Sequence, residues 1–193
     1  PEALFKALHR RARSESEGPS DWLLTGATYR GQMEWELDRS RLALTELIGS
    51  FAVEVFGHHA HVRIPVGGTF GDLAERITVD GKSARRVQSS PDGMPIVEID
   101  APGIYQIEIA LSPKIEVIGG MQRVDLPIPP LATSRLELDL PVDSPPIEVA
   151  SATGGTLREN VQGRVTAQLG AAPRLELTWR DSTGVDAGAV ADV

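Results

Sequence analysis

The sequence predicts an all-β protein, built as an antiparallel β-sandwich of immunoglobulin-like or related type with a short N-terminal helix. Apolar and polar residues alternate with a period of two along most of the chain, which is typical of strands with one buried face. The 19 Gly and 14 Pro residues favour many turns over a helical bundle. Pairs such as Asp80-Gly81 and Asp92-Gly93 tolerate the positive φ of tight turns and separate the alternating segments.

Residues 1–20 are predicted to be a helical arm followed by a flexible joint. Leu4, Phe5 and Leu8 recur at helical spacing among basic residues. Residues 14–20 combine Ser and Glu with one Gly and one Pro, a composition that indicates a joint rather than a folded element.

The clearest strands are predicted over residues 105–111, 135–140 and 174–179. In residues 135–140 three Leu side chains fall on one face and three charged side chains on the other, because successive side chains of a strand point to opposite faces. The same alternation places Trp179 on an apolar face together with two Leu residues. We expect these segments to be half-buried antiparallel strands.

Two packed sandwiches, over residues 21–112 and 113–182, are the preferred domain layout. The alternative is a single sandwich in which the second range continues the first. Length does not decide between them, since an average domain has about 150 residues. Residues 183–193 are rich in Gly and Ala, and we expect them to form a disordered tail.

Charge and composition exclude several classes of function. The formal net charge of −8 argues against a nucleic-acid partner, because affinity for a polyanion comes mainly from clustered Lys and Arg. The sequence contains no Cys, which excludes a disulfide scaffold, a thiolate zinc site and a cysteine nucleophile. No run approaches the ~20 apolar residues that a membrane-spanning helix needs, so we predict no membrane-spanning segment.

The segment from His58 to His61 holds three of the four His residues and is the candidate metal site. If this segment is a strand, His59 and His61 share a face and could bind one metal ion, with Glu54 as a third ligand. No recognised metal-ligand spacing accompanies the segment. The alternative is a polar loop that connects a strand ending at Gly57 with the next strand.

Trp22 is the candidate ligand-binding residue. Trp35 and Trp179 lie on the apolar faces of their predicted strands, and we expect both in the core. Trp22 stands at the start of the first predicted strand, where an exposed indole ring could stack on a glycan.

The sequence predicts no catalytic residue, no cofactor-binding residue and no enzyme activity. It contains no G-x-S-x-G nucleophile elbow. Carboxylate pairs that could serve a glycosidase occur at alternate positions, as in Glu98 and Asp100 or Glu137 and Asp139. We expect such pairs to lie on the solvated face of a strand, so a hydrolase is the least favoured hypothesis.

Residues 22–180 contain a set of strand and turn motifs. The motifs are LTGATYRG at 24–31, VDG at 79–81, PGIY at 102–105, LPIPP at 126–130 and SRLEL at 134–138. Together they resemble β-sandwich segments of large, uncharacterised bacterial envelope-associated proteins. The resemblance implies a modular architecture of immunoglobulin-like sandwiches without catalytic activity, and it identifies no functional residue.

We therefore predict a non-catalytic structural or protein-interaction module of a larger, extracytoplasmic assembly in the bacterial envelope. Its partner would be another protein or the rest of a larger polypeptide. The alternative is a β domain that binds a glycan through Trp22 or a metal ion through His59 and His61.

Overall fold

The computed structural model describes residues 20–37, 41–67, 76–153, 157–159 and 163–180. The predicted N-terminal helix and the predicted tail lie outside these residues. The strands of the described residues are β1 (Trp22–Trp35), β2 (Leu42–Val55), β3 (Ala60–Arg63), β4 (Ile77–Val79), β5 (Lys82–Ser83), β6 (Val87–Ser89), β7 (Pro95–Ile99), β8 (Gly103–Ala110), β9 (Ile115–Ile118), β10 (Met121–Pro127), β11 (Ser134–Asp139), β12 (Ile147–Val149), β13 (Leu157–Glu159), β14 (Arg164–Gln168) and β15 (Arg174–Arg180).

The strands form three sheets. The largest has eight strands in the order β13-β14-β11-β1-β2-β8-β4-β5, the second has four in the order β12-β15-β10-β9, and the third has three in the order β3-β7-β6. The all-β prediction is confirmed. Neighbouring strands are antiparallel except for β1 and β11, which pair in parallel. Within the described residues, no helix is long and apolar enough to cross a membrane.

The hairpin of β1 and β2 forms the centre of the large sheet. Its register runs from the pair Trp22 and Val55 to the pair Trp35 and Leu42. A smaller hairpin at the sheet edge joins β4 to β5 through Asp80 and its following glycine, which have φ of 49° and 73°. Gly adopts such an angle without strain and Asp tolerates it better than most other residues, so the Asp-Gly pair is suited to this turn. The predicted turn is therefore present.

One face of the large sheet is buried. The buried side chains of its central strands alternate with polar ones, as a half-buried sheet requires; they are Ala27, Tyr29, Met33, Leu47, Phe51, Val53, Ile107, Ile109, Leu136 and Leu138. The rings of Tyr29 and Phe51 meet edge to face, with centroids 5.9 Å apart. The two smaller sheets contribute to the same hydrophobic cluster through Val62, Val97, Ile99, Val124, Leu126, Leu175, Leu177 and Trp179.

The four-stranded sheet is joined to the large sheet by hydrogen bonds to one carbonyl oxygen. The indole Nε1 of Trp179 donates to the carbonyl oxygen of Leu42 at 2.9 Å. The side-chain amide of Gln122 donates to the same oxygen at 3.2 Å. Both side chains are buried, with 1% and 2% exposure. These bonds fix the start of β2 against β10 and β15.

The large sheet takes strands from both predicted sequence ranges. Strands β1, β2, β4, β5 and β8 belong to residues 21–112, whereas β11, β13 and β14 belong to residues 113–182. The parallel pairing of β1 with β11 joins the two ranges, with Ala27 opposite Ser134 and Gln32 opposite Asp139. A boundary at residue 112 therefore does not separate independent sheets.

Candidate functional site

The three-stranded sheet places polar side chains on its outer face. Strands β3 and β7 pair with Ala60 opposite Ile99 and His61 opposite Glu98. Ala60 and Ile99 are buried, whereas His61 is exposed. Because side chains of directly paired residues lie on the same face of a sheet, His61 and Glu98 both lie on the outer face.

His59 is brought to the end of the same face by the backbone. It precedes β3 and has φ of 56°. Its N–H donates to the carbonyl oxygen of Asp100, at 3.2 Å, which continues the β3–β7 ladder by one step. Its Nδ1 lies 3.4 Å from Asp100 Oδ1 and 3.6 Å from Glu98 Oε1.

We call His59, Glu98 and Asp100 the histidine–carboxylate cluster. Each of these residues offers one ligand atom, and the three atoms lie within 4.8 Å of one another. The side chains of His59 and Asp100 are 70% and 72% exposed, and that of Glu98 is 17% exposed. Imidazole nitrogen and carboxylate oxygen are ligands that zinc uses in proteins. The cluster is therefore accessible to solvent and has the chemistry of a metal site.

Arg86 contacts the two carboxylates of the cluster. Its Nη1 lies 2.5 Å from Glu98 Oε1 and 3.5 Å from Asp100 Oδ1. Its backbone carbonyl accepts a hydrogen bond from the N–H of Glu98 at 3.1 Å. The guanidinium therefore neutralises one of the two carboxylate charges in the structure as it stands.

Of the two histidines that the sequence pairs as metal ligands, only one is in the histidine–carboxylate cluster. His59 belongs to the histidine–carboxylate cluster, and His61 lies on the same sheet face but is not among its three donors. Glu54 lies on β2 in the large sheet, opposite Ile104. The metal prediction for His59 and His61 stays a prediction.

Sequence reasoning missed the association of Glu98 and Asp100 with His59. The two carboxylates were recognisable as an alternating pair on one strand. Their proximity to His59 depends on the register between β3 and β7, and alternation within a strand does not define pairing between strands.

Trp22 is half-buried and packs against the hydrophobic core. It pairs with Val55, which is also a core residue. The area of its ring that remains for a ligand is smaller than an exposed tryptophan would offer. The glycan prediction for Trp22 is not tested by this geometry.

The outer face of the large sheet has a shallow groove of about 450 Å³. Small residues line its floor, including Gly26 and Ala52. Gln106 Nε2 donates to Ser50 Oγ at 2.6 Å, and Arg135 Nε donates to Thr28 Oγ1 at 3.2 Å. These polar side chains bind one another, so they are less available to a ligand.

Clear pKa shifts occur away from the histidine–carboxylate cluster. Burial raises the pKa of Tyr29 well above its ordinary value. A hydrogen bond from Arg174 lowers the pKa of Asp125. A hydrogen bond from Ser90, followed by weaker effects of Arg63, lowers the pKa of Asp92. None of these shifts moves a group toward titration near neutral pH, which general acid–base catalysis favours.

Comparison with known proteins finds similarity at the level of the fold. No protein-family model matches the sequence, and no curated protein matches it. The chain is similar to the solved structure of aminopeptidase A from Legionella pneumophila, with a TM-score of 0.53 and 12% identity over 88% of this chain and 22% of that chain. It is also similar to an M1 zinc metallopeptidase from Deinococcus radiodurans, with a TM-score of 0.44 and 9% identity over 83% of this chain and 42% of that one. The chain thus spans about a fifth of the aminopeptidase A chain.

The comparison contradicts the predicted function. The sequence predicts a non-catalytic structural or protein-interaction module of a larger assembly. The fold of this chain instead matches part of an aminopeptidase. The prediction is wrong because alternating strands and tight turns define a fold and not its use, and a fold of this kind also occurs inside enzymes.

Proposed function

We propose that the chain is the β domain of a larger protein of the zinc aminopeptidase type. The observation that carries the proposal is the fold similarity to aminopeptidase A, which extends over 88% of this chain but only 22% of that one. A likeness that covers nearly all of one chain and a small part of another is expected of a domain and the multidomain protein that contains it.

The proposed domain is one layered sandwich over residues 21–180. The eight-stranded sheet forms one layer, and the four-stranded and three-stranded sheets together cover its buried face. The shared hydrophobic cluster supports this arrangement, as do the bonds from Trp179 and Gln122 to Leu42. The parallel pairing of β1 with β11 supports a single unit over two sandwiches that meet near residue 112.

In this proposal the chain contributes a β domain to a peptidase, and the groups that cleave the peptide bond lie elsewhere in the larger polypeptide. The histidine–carboxylate cluster lies on an outer face, where His59 is 70% exposed. Catalytic groups act most strongly in a site from which water is excluded. The rest of the larger polypeptide is then the partner of this chain.

To test the proposal, the native protein that contains this chain is isolated with antibodies raised against residues 20–180. We expect a polypeptide larger than 20.7 kDa. We also expect it to hydrolyse fluorogenic amides of single amino acids, and 1,10-phenanthroline to abolish the hydrolysis until zinc is restored. The recombinant 193-residue chain, assayed in parallel, should be inactive.

Two results would overturn the proposal. One is a native protein no larger than this chain. The other is a larger protein, isolated intact, that shows no chelator-sensitive hydrolysis of any of the amides. Activity of the recombinant chain itself would show instead that the chemistry lies within these residues.

A further inference from the structure

We infer that His59, Glu98 and Asp100 bind a divalent transition-metal ion of the zinc class at the surface of the three-stranded sheet. The inference does not depend on the proposed peptidase function. It depends on how the backbone assembles the three donors, on the charge of the group and on the type of ligand atoms.

The backbone holds the three donors together. Glu98 lies in β7 and Asp100 directly follows that strand, so the two carboxylates stand at alternate positions of the chain and lie toward one face. The hydrogen bond from His59 N–H to the Asp100 carbonyl fixes the third donor against them. The separation of the donors is therefore set by a strand ladder and does not rely on long flexible side chains.

The charge of the group favours a cation. Glu98 and Asp100 contribute two negative charges, and Arg86 contributes one positive charge. The two carboxylates outnumber the single guanidinium, so one of their negative charges remains uncompensated by Arg86. A divalent ion would interact with both carboxylates at once, which the single charge of Arg86 does less strongly.

The ligand atoms favour zinc-like ions over calcium or magnesium. Calcium and magnesium prefer a shell made of oxygen atoms, whereas imidazole nitrogen suits zinc, nickel and copper. One imidazole with two carboxylates leaves room for water to complete a tetrahedral shell. His61, opposite Glu98 on the same face, is not needed as a ligand.

Arg86 competes with the metal for the carboxylates. Its side chain is 59% exposed, so the guanidinium can move into solvent when a metal ion binds. The affinity of the site then reflects the metal–ligand bonds minus the loss of two exposed contacts to Arg86. Removing the charge of Arg86 should therefore strengthen metal binding.

The experiment titrates the 193-residue chain with zinc chloride near neutral pH by isothermal calorimetry, with calcium chloride as a second titrant. We expect saturable binding of one zinc ion with a dissociation constant below about 1 mM, and no comparable binding of calcium. His59→Ala and Asp100→Asn should each weaken zinc binding about tenfold or more.

Matched controls remove the same chemical groups from positions outside the donor set. His61→Ala deletes an exposed imidazole on the same sheet face that is not among the three donors, and Asp125→Asn deletes a carboxylate on the four-stranded sheet. Both should keep zinc affinity within about twofold of the original chain. Circular dichroism checks that each variant is folded. We expect His59→Ala and Asp100→Asn to fold, because both side chains are largely exposed in the original chain.

The inference fails if the original chain shows no saturable zinc binding. It also fails if His59→Ala and Asp100→Asn bind zinc as tightly as the original chain does. A loss of zinc affinity in both control variants as large as the loss in His59→Ala and Asp100→Asn would overturn it as well. Equal binding of calcium would show that the imidazole is not a ligand, which contradicts the zinc class. As a direct readout, zinc should shift the NMR signals of the His59 ring.

Discussion

The outer faces of the four-stranded and three-stranded sheets each carry two carboxylates with basic neighbours, but the two groups differ in how far their charges cancel. On the four-stranded sheet, Arg174 Nε lies 2.5 Å from Asp125 Oδ1. Arg123 Nη2 lies 3.6 Å from Asp125 Oδ2 and 3.7 Å from Glu176 Oε1. The two carboxylates and two guanidiniums compensate one another, and they contain no imidazole.

On the three-stranded sheet, two carboxylates face one guanidinium and one imidazole. Glu98 and Asp100 share Arg86, and their other neighbour is the imidazole of His59 instead of a second arginine. The comparison teaches that two neighbouring carboxylates on a sheet face are not a site by themselves. The number and type of cationic neighbours decide whether such a pair is complete or can accept a metal ion.

The two sheets also differ in how they attach to the large sheet. The four-stranded sheet has buried hydrogen bonds from Trp179 and Gln122 to the carbonyl of Leu42. The three-stranded sheet contributes smaller apolar side chains, such as Val97 and Ile99. A large buried side chain with a specific hydrogen bond is expected to contribute more to stability than either of these.

The largest predicted effect tests this difference in attachment. Trp179→Ala should lower the free energy of unfolding by about 3–5 kcal/mol, because it leaves a cavity and removes the bond to Leu42. Ile99→Ala should cost about 2–3 kcal/mol. Urea denaturation followed by circular dichroism measures both values. If Ile99→Ala costs as much as Trp179→Ala, the two sheets do not differ in their attachment.

An intermediate effect is expected when one positive charge is removed from the outer face of the three-stranded sheet. Arg86→Met should tighten zinc binding about 1.4- to fivefold, since an exposed ion pair is worth about 0.2–1 kcal/mol and the metal no longer displaces it. Isothermal calorimetry measures the change. The control is Arg63→Met, because Arg63 lies on the same sheet but binds Asp92. An unchanged affinity in Arg86→Met would remove Arg86 as a competitor.

The smallest effect is expected on the four-stranded sheet. Asp125→Asn should destabilise the chain by on the order of 0.5 kcal/mol at neutral pH, since the pair with Arg174 is partly exposed. The pKa of Asp125 is lower in the folded chain than in the unfolded chain. Its contribution is therefore present above the ordinary range of Asp, near pH ~4, and is lost as the pH falls through the lowered value.

Urea denaturation of the original chain and of Asp125→Asn, at neutral pH and at about pH 3, tests that pH dependence. The difference between the two proteins should shrink at the acidic pH, because Asp125 then begins to take up a proton in the folded chain as well. A difference that stays constant between the two conditions would mean that the ion pair does not contribute to stability.

The sequence predicts individual strands and turns better than it predicts which strands pair with each other. The strands expected over residues 135–140 and 174–179 are β11 and β15, within one residue at each end, and Trp179 is in the core as predicted. Alternation and turn chemistry are local signals, so they suffice for these elements. The parallel pairing of β1 with β11 joins segments about a hundred residues apart, and no local pattern encodes it.

The same limit applies to the candidate site. The sequence singles out His59 as a metal ligand, and it shows Glu98 and Asp100 as an alternating pair. The proximity of these three side chains depends on the β3–β7 register. Spacing along the chain alone favours His61 as the partner of His59. Function could be predicted least well from the sequence, because strands inside enzymes show the same alternation of apolar and polar residues as strands of structural modules.

The place of β11 beside β1 has a consequence for synthesis on the ribosome. Until residues 134–139 have left the exit tunnel, one long edge of β1 has no neighbour, although β2 can already cover the other. An uncovered edge of this length is a template for pairing with other chains. Nascent or truncated forms that stop before β11 are therefore expected to aggregate, and the complete chain to fold slowly, as contacts between distant segments require.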